Sequence, residues 1–146
     1  VNLDFIPDKT LNVDFVAYPD FAYLIYQFQK KSILYCMAAK IDGEGNVLKD
    51  PVELDTTFIS FFADNKIYST INSEDKSKIM IYKIQKKNDN FNFTTLLFND
   101  SLGLIHKSRI NTDFDERKSA LSDFFVTNDG NFVFTKCIQS NARDFL

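Results

Sequence analysis

The stretch Phe124-Phe125-Val126-Thr127-Asn128-Asp129-Gly130-Asn131-Phe132 reads as an apolar strand, a turn cluster and the start of an aromatic-rich strand. Asn and Asp accept the left-handed turn conformation and bond their own backbone, and a neighbouring Gly makes this the strongest hairpin signal in the chain. Two earlier stretches follow the same plan: Phe15-Val16-Ala17-Tyr18-Pro19-Asp20-Phe21-Ala22-Tyr23 and Ser60-Phe61-Phe62-Ala63-Asp64-Asn65-Lys66-Ile67-Tyr68. The first two lie about 45 residues apart, an interval that accommodates four short strands, and the third follows after a longer one.

Working outward from these hairpins, short runs rich in Phe, Tyr, Ile, Val and Thr alternate with turn clusters, and no window sustains a helical period. The first unit reads as strands Leu11 to Tyr18, Phe21 to Gln29, Ser32 to Ile41 and Asn46 to Leu54. Its turns fall at Pro19-Asp20, at Lys30-Lys31 and at Asp42-Gly43-Glu44-Gly45. Pro51 marks the last of these strands as an edge, because proline has no N–H to give to a central ladder. The second unit reads as Thr57 to Ala63, Lys66 to Asn72, Lys78 to Gln85 and Phe91 to Phe98, and the third as Leu121 to Thr127 followed by Asn131 to Gln139.

The fold expected is all-β: a partial β-propeller of about two and a half four-stranded antiparallel blades, with a β-sandwich as the rival geometry. The divisions expected are 1–10 as the outer strand of a preceding blade, 11–56 and 57–99 as blades, 100–120 as an inter-blade insertion, and 121–146 as the first hairpin of a further blade. Since a ring closes only with four or more blades, the chain is read as a piece of a longer protein.

The hairpin from Val126 to Phe134 resembles the opening hairpin of blades in WD40-like bacterial β-propellers, and the Asn, Lys and Phe-rich composition resembles cell-envelope proteins of the Bacteroidota. The resemblance covers roughly residues 11–99 and 120–140, and the WD dipeptide itself is missing because the chain has no Trp. It implies an exported protein, periplasmic or associated with the outer membrane.

Composition narrows the function classes. Over 146 residues, 45% hydrophobic and 15% aromatic content is ample for a core. A net charge of -3, with 17 basic and 20 acidic residues spread along the chain, gives no basic face for phosphates, so nucleic acid is not expected as a partner. No apolar run reaches the roughly 20 residues of a membrane-crossing helix, so no direct transmembrane segment is expected. Cys36 and Cys137 read as small buried hydrophobes without a bridge between them, and neither a metal nor a cofactor is expected.

The insertion 100–120 holds the only histidine, His106, together with Arg109, Asp113, Asp115, Glu116 and Arg117, a mixed-charge set suited to contacting a protein partner. Tyr18 and Tyr23 complete the partner-contact candidates, as tyrosines are favoured interface anchors. No catalytic constellation is visible. The expected function is therefore a non-enzymatic scaffold or protein-binding platform within a larger outer-membrane or secretion assembly. The alternative is part of a propeller hydrolase, a glycosidase or peptidase, whose channel-facing carboxylates here would be Asp14 and Asp123.

Overall fold

The computed structural model describes residues 3–87, 90–113, 119–141 and 144–145, and divides the chain into two compact units, Val1–Tyr68 and Ser69–Leu146. In the first unit, β1 (Thr10–Ala17), β2 (Ala22–Lys30), β3 (Ile33–Ile41) and β4 (Val47–Phe58) form an antiparallel meander in chain order. These four match the expected strands within a few residues. Period-2 alternation decides the faces: Leu24, Tyr26, Ala39 and Ile41 build a core on one side, joined by Leu3, Phe5 and Ile6, while Ile25, Gln27, Cys36 and Ala38 are buried on the other.

β4 is an edge, as Pro51 requires. The register jumps from Lys40↔Lys49 to Ala38↔Val52, so Asp50 and Pro51 together oppose Ala39 in a bulge that absorbs the missing N–H. The opening residues differ from expectation: residues 3–9 form two successive turns, closed by Ile6 N–H to the Leu3 carbonyl and Thr10 N–H to the Pro7 carbonyl, instead of a strand.

A second four-stranded meander follows: β5 (Tyr68–Asn72), β6 (Lys78–Lys87), β7 (Asn90–Asn99) and β8 (Leu104–Asp113), again in chain order. The last sheet contains β9 (Ser119–Val126), β10 (Phe132–Asn141) and the short β11 (Asp144–Phe145), with β10 in the middle. Two expectations are corrected here. The strand placed at Thr57 to Ala63 is the end of β4 followed by an irregular segment, because side chains of β2 take over the backbone pairing that a strand would make. And the stretch 100–120, read as an insertion, contains β8, which pairs with β7 from Asp113 to Leu104. His106, Ser108 and Thr112 on one face and Lys107, Arg109 and Asn111 on the other leave β8 almost without the apolar alternation that identifies a strand.

Four of the hairpin loops share one design. Asp42, Asn99 and Thr127 each donate their N–H to a carbonyl four residues on, and each accepts that residue's N–H on a side-chain oxygen. Ser73 does the same with Lys78, one residue further. Three residues after each of these comes a left-handed residue: Gly45 (φ 88), Leu102 (φ 60), Gly130 (φ 88) and Lys76 (φ 57). This is the three-residue hairpin loop ending in a left-handed residue, or a close variant of it. The hydrogen bonds from Asn46 onto Asp42, and from Ser73 and Ser77 onto Asp75, lower both carboxyl pKa values.

A candidate ligand trough on the second sheet

Within the second unit, the β9–β10 hairpin lies on one face of the β5–β8 sheet. Tyr82 meets Phe124 and Phe132 at ring-centroid distances of 5.2 and 4.9 Å, and Phe93 stacks on Phe134 at 5.3 Å. Met80, Leu97 and Val126 form the core beneath. The contact is close at the hairpin tip: a Cβ on Gly130 would stand 2.6 Å from a methyl of Leu97, so only glycine fits both the space and the φ of +88°. The Asn128 side chain fastens the tip by accepting the Asp75 N–H at 3.2 Å.

The hairpin covers β6 and β7 but leaves the β8 side of that face open, and a trough of about 340 Å³ results. Its floor follows from the β7–β8 register, in which Leu97 faces His106, Thr95 faces Ser108 and Phe93 faces Ile110. Phe132 and Phe134 form the inner wall, and Gly130 and Asn131 close one end. One side is thus aromatic, while Thr95, His106, Ser108, Thr112 and Asn131 contribute hydroxyl, imidazole and amide groups. β8 is the edge strand of its sheet, so the outer margin of the trough is a backbone edge.

No carboxylate, amine or thiol is among the described residues that line the trough. Among the described residues no group of three or more His, Cys, Asp or Glu is placed to hold a metal ion.

Of the residues singled out in the sequence, His106 lies in the trough and is exposed, whereas Arg109 sits on the opposite face of β8. Asp113 ends β8, and Asp115, Glu116 and Arg117 lie outside the described residues. Tyr18 stacks on Phe21 at 4.7 Å, and Tyr23 stands edge-on to both rings. Tyr23 is buried, which makes it a packing residue of this cluster instead of a surface anchor. Asp14 is on β1, with Oδ2 buried and lacking a hydrogen-bond partner. Asp123 is exposed on β9 and accepts the Ser122 hydroxyl at 2.8 Å. Cys36 and Cys137 form no disulfide. Thr95, Ser108 and Thr112 were not singled out; the every-second-residue spacing of His106, Ser108, Ile110 and Thr112 is the signal that places them on one face.

In the first unit, the polar groups serve structure. Gln27 acts as a substitute strand partner, its Oε1 accepting the N–H groups of Ile67 and Tyr68 at 3.0 and 2.8 Å and its Nε2 donating to the Tyr68 carbonyl at 2.7 Å. The Tyr68 hydroxyl donates to Asp55 at 2.6 Å and so receives the Thr57 hydroxyl, also at 2.6 Å. Burial, then the bond to Asp55, pushes the Tyr68 phenol well above its ordinary pKa.

Set against known protein families, curated proteins and solved structures, the chain matches none.

Proposed function

We propose that this chain is part of a propeller-type scaffold that binds an extended protein segment, seated in the trough beside β8. The observation that carries the reading is the pairing of an amphipathic trough with a sheet edge. An added strand draws affinity from main-chain bonds to the edge and specificity from alternate side chains entering the trough. The propeller part is supported by two successive four-stranded meanders in chain order, the connectivity of blades, and by hairpin loops of one repeated design. The exported, envelope-associated setting rests on the resemblance in composition to cell-envelope proteins alone.

The test is to select peptides by display against the full chain and titrate them calorimetrically. Ile110→Asp, which places a charge among the apolar groups of the trough, should weaken binding more than tenfold while leaving the melting curve close to wild type. Selection that yields no binder, or binders indifferent to Ile110→Asp, defeats the reading. The hydrolase alternative has one observation in its favour, the buried and unpartnered Oδ2 of Asp14. Turnover of a glycoside or peptide by the wild type, abolished in Asp14→Asn, would establish it.

A further inference from the structure

At one end of the first sheet, three phenylalanines stand in solvent: Phe58 at 73%, Phe61 at 59% and Phe62 at 88% exposure. Ile33, the cross-strand partner of Phe58, adds to the apolar surface, and the β2–β3 turn beside it exposes Lys30 and Lys31. The tip is held firmly. A single amide, that of Gln29, donates to the carbonyls of Lys31 and Phe61 at 2.8 and 2.9 Å and accepts the Ala63 N–H at 2.9 Å. The Ile59 N–H is taken by the Ser32 carbonyl.

We infer that this tip docks on an anionic phospholipid surface, Phe58, Phe61 and Phe62 entering the headgroup boundary while Lys30 and Lys31 meet the phosphates. Three observations favour lipid over a protein partner. Rings this exposed form a convex knob, which a fluid surface accommodates and a protein could receive only with a matching pocket. The N–H groups of Ile59 and Ala63 and the carbonyl of Phe61 already have internal partners, so these three groups are not stranded when the segment enters a poorly hydrating layer. Basic residues dominate here, Lys30, Lys31 and Lys66 against Asp64, on a chain whose net charge is -3, so an anionic surface attracts this end selectively.

Because the chain contains no tryptophan, Phe62→Trp gives a unique fluorophore. With vesicles of phosphatidylcholine and phosphatidylglycerol, the Phe62→Trp chain should float with the lipid and its emission should shift to the blue. With pure phosphatidylcholine both effects should fall at least tenfold. Phe61→Ser with Phe62→Ser, and separately Lys30→Glu with Lys31→Glu, should each reduce flotation of the chain by tenfold or more with unchanged circular dichroism. The inference is overturned if the wild type does not float with anionic vesicles, or if either double variant floats as well as it does. It is equally overturned if light scattering shows a dimer that Phe61→Ser with Phe62→Ser dissolves, since a second copy is then the occupant.

Discussion

Two regions of this molecule solve one problem differently. Both units must cover a face of an antiparallel sheet, and the first does so with a segment that has no regular structure, residues 59–67, held by the side chains of Gln27 and Gln29. The second does so with a regular hairpin whose Phe124, Phe132 and Phe134 lie on Tyr82 and Phe93. Directional bonds fix every atom of what they hold but tolerate no loss of a partner. Stacked rings hold through area, tolerate sliding, and leave unfilled space where the rings end. A trough therefore opens beside the aromatic contact.

The largest expected effect follows from that difference. Gln27→Leu keeps volume but leaves the N–H groups of Ile67 and Tyr68 and the Tyr68 carbonyl without their partner. At roughly 1–3 kcal/mol for each stranded buried group, a loss of about 3 kcal/mol or more in urea unfolding is expected. Phe134→Leu in the second unit should cost distinctly less, about 1–2 kcal/mol, because a branched aliphatic refills most of the contact. Equal losses would mean that the two modes of covering do not differ.

Gly130→Ala comes next. The new methyl meets Leu97 at 2.6 Å and sits at φ +88°, so overpacking and left-handed strain together should cost about 2–4 kcal/mol. Introduced into a Leu97→Ala background, where the opposing methyl is gone, Gly130→Ala should cost about half as much, leaving only the backbone part. An undiminished cost in that background would show that the hairpin tip does not press on the sheet.

The same contrast explains what could be read from the sequence. The meander β1 to β4 was legible because β2 and β3 carry dense apolar alternation and the turns announce themselves through Pro19-Asp20 and Asp42 to Gly45. β9 and β10 were legible from Asn128-Asp129-Gly130. Residues 59–67 misled because Ile59, Phe61 and Phe62 have strand composition, yet the pairing of this segment is decided by two glutamines 32 to 40 residues earlier, a relation no local pattern encodes. β8 was missed for the opposite reason, since an edge strand over an open trough has no buried face to make apolar. The histidine in the candidate site was visible, but its hydroxyl neighbours became meaningful only with the β7–β8 register.

Alkaline pH separates the regions more gently. The Tyr68 phenol has a raised pKa in the folded chain, so the folded state keeps its proton where the unfolded chain releases it. Its contribution is fully present below the unfolded value near 10 and declines as pH rises above that. Tyr82, raised by burial in the second unit, acts in the same sense. Tyr68→Phe should flatten the alkaline slope of stability by up to about one proton's worth, measured as urea midpoints between pH 9 and about 11. A slope unchanged in Tyr68→Phe would show that the phenol titrates alike in the folded and unfolded chains.

The smallest effect tests whether the four similar loops share one energetic logic. Gly45 and Gly130 occupy the left-handed position at no steric cost, while Lys76 and Leu102 hold φ of 57° and 60° against their own Cβ atoms. Leu102→Gly should therefore stabilise the chain, by about 0.5–1 kcal/mol after the extra freedom of glycine in the unfolded state is subtracted. Gly45→Leu, the reverse exchange in the first unit, should destabilise by a similar amount. If Leu102→Gly lowers the melting temperature instead, then the half-buried Leu102 side chain contributes more by packing than its backbone loses by strain, and the β7–β8 loop owes its shape to that side chain.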